Sequence, residues 1–152
     1  MLAENGIAGC ALDFDGVLAG HGADQPLPVV VQWLDHLVTA FGQKRICILS
    51  NRPVGPRVDW FAQHYPDIRF IHGVPKKPDP TGILQAAEMM GCSPSQLLMV
   101  DDRLLTGVLA ALLAGAQVVY IREPYQRFDK AFWYECFFSA MRSVERLLVR
   151  VL

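Results

Sequence analysis

The sequence predicts one α/β domain, a mainly parallel β-sheet with helices on both faces. Three observations carry that expectation. Strand and helix signals alternate from Ile7 to Ile121 in a βαβ rhythm. The length of 152 residues suits one core. No repeat, low-complexity tract or interdomain linker breaks the alternation.

The elements follow in order. The run IAGCALDF at 7–14 is apolar enough for an interior strand. Pro28 to Phe41 reads as a helix closed by Gly42, and Arg45 to Leu49 as the second strand. A helix near Gly55 to His64 comes next, then a short strand near Ile68 to Ile71 and a proline-rich turn, KKPDP, at 76–80. The helix from Thr81 to Met90 stops at Gly91. Ser93-Pro94-Ser95-Gln96 has capping-box spacing with proline at the first helical position, one turn before a strand at Leu97 to Val100.

The segment from Leu104 to Ile121 is eighteen residues without a charge, just inside the length at which a membrane span becomes a candidate. Gly115, however, falls where a helix C-cap belongs, and Gln117 to Ile121 is a β-branched strand. Helix, turn and strand are therefore expected in place of one span. The remainder, 128–152, is expected to be a helical tail. Its apolar Phe132, Trp133, Phe137, Phe138, Met141, Leu148 and Leu152 alternate with Lys130, Arg142, Arg146 and Arg150, diluted by Glu135 and Glu145. Such a helix packs on the sheet or on a second copy of the chain, or lies on an anionic membrane surface.

Composition narrows the function. Fourteen Lys and Arg stand against 15 Asp and Glu, a formal charge of −1, with 19% charged residues. That balance provides no general basic field for nucleic acid and no acidic disordered tail. Cys10, Cys47, Cys92 and Cys136 are scattered without metal-ligand spacing, as reduced thiols in a cytoplasmic protein would be. The start, MLAENGIAGCALDFDG, lacks the basic residue and apolar run of a leader peptide. The chain is expected in the cytoplasm, with a peripheral place at the membrane surface if the tail binds lipid.

In a parallel sheet, ligands bind beyond the carboxyl ends of the strands. Three such ends carry polar residues: Asp13 and Asp15 after strand one, Ser50 and Asn51 after strand two, Asp101 and Asp102 after the Leu97 strand. Lys77 lies in a loop between the last two. Any one of these acids alone is most often a turn or helix cap, but four coincidences along one edge are harder to dismiss.

In this order, Asp13-Phe-Asp15-Gly16-Val17, Leu49-Ser50-Asn51, Lys77-Pro78 and Val100-Asp101-Asp102 resemble the four motifs of the haloacid dehalogenase superfamily of aspartate-based phosphotransferases, across 13–122. Within it, Lys-Lys-Pro-Asp-Pro followed by Val-Asp-Asp-Arg-Leu-Leu-Thr-Gly is similar to the small, capless class III group, which includes phosphatidylglycerophosphate phosphatases. The resemblance implies a Rossmann-like domain and a Mg²⁺-dependent phosphomonoester hydrolase with an aspartyl-phosphate intermediate. A phosphate ester repels an incoming carboxylate, so Asp13 attacks phosphorus only where a cation and donors neutralise the phosphoryl oxygens. Clustered acids suit Mg²⁺, held by the Asp13 carboxylate, the main-chain carbonyl of Asp15 and the Asp102 carboxylate. Asp15 would protonate the leaving oxygen and then activate water. Gly16 would permit the turn that brings both acids to the substrate, Ser50 would donate a hydrogen bond, and Lys77 would supply a point charge.

The fourth motif departs from relatives that have Gly-Asp with another Asp five residues later, since this chain has Asp101, Asp102 and Gly107. Neighbouring residues at a strand end point to opposite sides, so Asp102 is expected on the metal and Asp101 behind it, or capping the helix that begins at Arg103. Gly16, Asn51 and Arg52 are expected to line the substrate site, with Arg52 meeting a second anionic group. His21 lies in a loop, AGHGADQPLP, expected to form a mobile flap. Residues 16–49 and 52–76 leave no room for a cap domain, so the site should be open and suited to a bulky phosphorylated substrate: a protein, a nucleic-acid end or a lipid headgroup. The charge of −1 disfavours nucleic acid. A catalytically silent scaffold is the alternative from another class.

Overall fold

The central strand of the sheet is the first in the chain. In the computed structural model, which describes residues 6–52 and 55–151 and omits the side chains of 150 and 151, β1 (Gly9–Leu12) pairs with β2 (Ile46–Ile48) and β4 (Leu97–Asp101). Cys10 lies opposite Ile46 on one side and Leu98 on the other. The outer strands are β3 (Arg69–Phe70) and β5 (Gln117–Tyr120). All five run parallel in the order β3-β2-β1-β4-β5. The N-terminal residues 1–5, Leu152 and the Arg150 side chain, all used above, lie outside the described residues.

Both faces of the sheet are covered, which is why the inner strands are almost wholly apolar. On one face α1 (Pro28–Phe41) and α2 (Gly55–His64) bury Val30, Leu34, Leu37 and Phe61 with Leu12, Ile48 and Val100. On the other, α3 (Thr81–Met90) and α4 (Leu109–Ala114) bury Ile83, Ala87, Met90, Ala110 and Ala111 with Ala11, Cys47 and Met99. The caps lie where expected. Pro28 opens α1, Gly42 closes it at φ +77°, and Gly91 takes the left-handed conformation after α3. Gln96 Oε1 accepts the Ser93 amide at 3.1 Å in the turn before β4.

The charge-free segment is helix, turn and strand, but it opens differently from the expectation. Leu104–Val108 is a π-helical stretch ahead of α4, and only Leu109–Ala114 is regular α-helix, ended by Gly115 at φ +73°. The wide turn sets Gly107 directly against Asp101, where an added Cβ would overlap the carboxylate. Among the described residues no helix is long and apolar enough to cross a membrane.

The tail is helical, and it packs on the carboxyl edge of the sheet in a way the apolar pattern does not suggest. Helix α5 (Phe128–Val151), broken at Ala131 (φ −131°, ψ 38°), buries Glu135, Arg142 and Glu145. Its large apolar residues Phe132, Phe137 and Leu147 point outward, and Trp133 is 81% exposed.

Gly107 supplies a test. Gly107→Ala should overpack the Asp101 site and cost about 1–3 kcal/mol of stability in urea unfolding. A variant as stable as the parent would show that the contact is not tight.

Candidate active site

Asp13 is the first residue past β1, yet its amide still donates to Val100 O at 2.9 Å, so it is fixed at the edge where the sheet ends. The chain then turns sharply. Leu18 N donates to Phe14 O at 2.9 Å and Gly16 N to Ala19 O at 2.7 Å, with Gly16 at φ +84°. Glycine is required there twice, for the dihedral and because a Cβ would come within 2.5 Å of Asp102 Oδ2. The expectation that Gly16 serves the turn holds, but its nearest neighbour is Asp102, and it does not line the cavity.

The three strand ends and the Lys77 loop converge on one cavity of about 150 Å³. Asp13, Asp15, Ser50, Asn51, Arg52, Lys77 and Asp102 all line it. Its other wall comes from His21, Arg103, Tyr134, Phe138 and Arg142. The cleft therefore has a wall that the motif spacing does not register. No domain is inserted between the motifs among the described residues, but α5 closes one side.

Lys77 is buried among the acids, with Nζ 2.5 Å from Asp101 Oδ2 and 3.2 Å from Asp13 Oδ1. Its main chain is clamped by Asn51, whose Oδ1 accepts Lys77 N at 2.8 Å and whose Nδ2 donates to Lys77 O at 3.2 Å. Both polar atoms of the Asn51 amide are thus committed. Asn51 thus places Lys77 as well as lining the cavity. Arg52 is exposed at the rim, and its amide donates to Ser50 Oγ at 3.2 Å.

The adjacent acids divide their work. Asp101 is wholly committed, since Oδ2 takes Lys77 and Oδ1 accepts the amide of Arg103 at 2.9 Å, which caps the turn after β4. Asp102 Oδ2 accepts Arg142 Nε at 2.6 Å, and among the described residues nothing donates to Oδ1. Asp13, Asp101 and Asp102 each offer an oxygen within 4.8 Å of the others, all three buried. Hard oxygen donors at that spacing fit a hard divalent cation.

Burial pushes the Asp13 carboxyl from its ordinary 3.8 up to about 8, and the charges of Asp101, Asp102 and Asp15 act the same way while Lys77 opposes them. Burial also raises Asp102, against the pull of Arg142. Lys77 is lowered by burial, but the carboxylates of Asp13 and Asp101 outweigh that and hold it above its ordinary value. The cluster is short of positive charge, a second property that a divalent ion would satisfy.

Two residues of the site escaped the sequence reading. Arg57 of α2, 2% exposed, grips Asp15 in a two-pronged pair, Nη2 to Oδ1 at 2.7 Å and Nη1 to Oδ2 at 3.0 Å. Its Nε donates to Ala23 O at 2.8 Å, and its guanidinium lies 3.9 Å over the Phe14 ring. The available signal was its position four residues before Phe61 on the buried face of α2. Arg142 is the other, and its neighbours on α5 fix the loop above. Glu135 accepts the His21 amide at 2.9 Å and meets His21 Nδ1 at 3.1 Å, while Phe138 stacks on the His21 ring at 4.2 Å. His21 is thus anchored to α5, which corrects the mobile flap.

The raised Asp13 carboxyl has a consequence for stability. A folded acid that titrates near 8 keeps its proton where the unfolded chain has lost it, so this group makes metal-free stability fall from about pH 4 to about pH 8, then level off. Asp13→Asn removes the contribution. With a chelator present the variant should melt roughly 3 °C or more above the parent at pH 8 and converge with it near pH 4. Equal melting temperatures at pH 8 would contradict the assignment.

Comparison with known proteins agrees with this architecture. Residues 2–115 match the family model for haloacid dehalogenase-like hydrolases. No curated protein matches the chain. Among solved structures, an uncharacterized protein from Corynebacterium glutamicum is 24% identical, with 90% of this chain and 96% of that one aligned at a TM-score of 0.58. A cobalt-bound deoxy-D-mannose-octulosonate 8-phosphate phosphatase from Haemophilus influenzae is 20% identical, covering 78% of this chain and 70% of that one at 0.59. A predicted phosphoglycolate phosphatase from Haemophilus somnus is 17% identical, covering 80% and 88% at 0.58. At these identities the structures support the fold, and the family model covers most of the sequence. The chain belongs to the haloacid dehalogenase-like hydrolase family.

Proposed function

We propose that the protein is a Mg²⁺-dependent phosphomonoester hydrolase that works through an aspartyl phosphate on Asp13. The carrying observation is the buried cluster itself: a carboxylate at a strand end, 3.2 Å from a buried ammonium, with two further carboxylates beside it. Asp13 and Asp102 would hold the ion with the Asp15 carbonyl, and bound there it would supply the positive charge the phosphoryl oxygens require.

The chain's own groups divide the remaining work. Asp13 attacks phosphorus and forms the acyl phosphate as the bond to the leaving oxygen breaks. Lys77 offsets charge on the phosphoryl oxygens and Ser50 donates a hydrogen bond to them. Asp15 passes a proton to the leaving oxygen and then takes one from the water that opens the acyl phosphate. Arg57 pairs with both oxygens of Asp15, so one oxygen leaves that fork when Asp15 carries the proton, and Arg57 positions the group for the step.

The substrate class we favour is a phosphate presented at the end of a larger molecule, with a lipid headgroup such as phosphatidylglycerophosphate as the specific candidate, in keeping with the capless group. Two features support it. The cavity of about 150 Å³ accommodates little beyond the phosphoryl end. Helix α5, which walls it, exposes Phe132, Trp133 and Phe137 on its outer face. Contact of that face with a membrane surface, or with a second copy, and a cytoplasmic location belong to the same proposal.

The wild-type chain should hydrolyse p-nitrophenyl phosphate with Mg²⁺, and Asp13→Asn should lose at least about 10³-fold in kcat; undiminished turnover would sink the mechanism, and no turnover by the wild type on any phosphate would favour a scaffold. Arg57→Lys should lower kcat roughly tenfold or more and alter its pH profile, with KM little changed. Equal kcat would detach Arg57 from the proton transfer. Vesicles containing phosphatidylglycerophosphate should be better substrates than soluble phosphomonoesters, and the reverse order would remove the lipid assignment.

A further inference from the structure

Arg142 carries five donors and the structure uses one. Nε donates to Asp102 Oδ2 at 2.6 Å, while Nη1 and Nη2 are buried with no hydrogen-bond partner among the described residues. The residue is 2% exposed. A buried charged group left without partners is costly, and such an orphan in a folded protein points to something absent from the site. A salt bridge to Asp102 alone does not account for it, because a lysine would supply that charge without burying two further NH₂ groups.

The place of Arg142 identifies what is absent. It lines the cavity shared with Asp13, Ser50 and Lys77. The paired terminal nitrogens of a guanidinium form a planar fork that matches two oxygens of a phosphate. The helix is also braced on both sides of the residue. Glu135 takes His21 and the Arg127 amide at 2.9 Å, and Glu145 takes Arg103 Nε at 2.8 Å and the Leu104 amide at 3.0 Å. The helix that carries Arg142 is therefore fixed before any ligand arrives.

We propose that Arg142 is a phosphate-binding residue of this site: its two free Nη groups receive non-bridging oxygens of the phosphoryl group, opposite Lys77, so that the C-terminal helix completes the substrate pocket. The proposal deepens the hydrolase reading and rests on it for where the phosphoryl group lies. The helix then has a specific task. It brings Arg142 to a cavity lined by three other cations, Arg52, Lys77 and Arg103, and by three carboxylates, Asp13, Asp15 and Asp102, and the phosphoryl group sits between Lys77 and Arg142.

The test is calorimetric titration of inorganic phosphate into the full chain with Mg²⁺, for the wild type and for Arg142→Lys, which keeps a positive charge beside Asp102 but removes the fork. The wild type should bind phosphate, and the variant should bind it roughly ten- to hundredfold more weakly at unchanged Mg²⁺ affinity. For p-nitrophenyl phosphate, KM should rise with it while kcat moves much less. An unchanged phosphate affinity in Arg142→Lys, or no phosphate binding by the wild type, overturns the proposal. If the variant does not fold, the guanidinium resonances of Arg142 in the wild-type chain decide: they should shift on phosphate titration, and invariance at saturating phosphate overturns it. Arg142-dependent phosphate binding without turnover of any ester would retire the hydrolase reading and leave this inference standing. Turnover with an Arg142-independent phosphate affinity would do the reverse.

Discussion

One ammonium, that of Lys77, stands between the carboxylates of Asp101 at 2.5 Å and Asp13 at 3.2 Å, all of it buried at the carboxyl edge of the sheet. Carboxylates at such spacing repel one another and lose their hydration, and the interior would protonate them if nothing compensated. Lys77 offsets that only in part, because Asp13 still sits well above its ordinary range. The rest of the site follows from how the remaining deficit is met. Asn51 clamps the main chain of Lys77 by both its amide atoms, so even the loop that carries the ammonium is held from β2.

Each acid draws its counter-charge from a different element. Asp15 is paired from α2 by Arg57, Asp102 from α5 by Arg142, and Asp101 from the loop before α3 by Lys77. The active centre thus ties together segments that the sheet alone would not fix, and the C-terminal helix is held chiefly through polar contacts. Breaking a buried pair on one side costs about 3–5 kcal/mol in proteins generally, so the residues proposed for the chemistry also serve stability. The apolar residues of α5, excluded from this polar contact, are left on its outer face.

The fold was legible in the sequence because its signals are local. Runs such as GCAL and LLMV are interior parallel strands by composition, Gly42, Gly91 and Gly115 stop helices by conformation, and the rule that ligands gather at carboxyl strand ends picks out Asp13, Ser50 and Asp102. The choice of Asp102 over Asp101 rested on alternation at a strand end, and it agrees with the commitment of both Asp101 oxygens to Lys77 and Arg103. What escaped was long-range. Arg57 and Arg142 act on acids 42 and 40 residues away, and no local pattern links them. The tail misled for a related reason. Glu135, Phe138, Arg142 and Glu145 recur at steps of three, four and three, a single helical face, but periodicity is read from apolar residues and this inward face is mostly charged. The open cleft was read from the motif intervals and the mobile His21 from its glycine-bearing loop, and neither signal registers the wall and the His21 anchor that α5 supplies.

The central claim is that this carboxylate–lysine cluster makes Asp13 a nucleophile toward phosphorus. Borohydride quenching during turnover of a phosphomonoester with Mg²⁺, followed by mass spectrometry of the Asp13 peptide, tests it most directly, since an acyl phosphate is reduced to an alcohol where a free carboxylate is not. Asp13 should appear as homoserine only when substrate and Mg²⁺ are both present. Steady turnover with Asp13 unmodified would contradict the account.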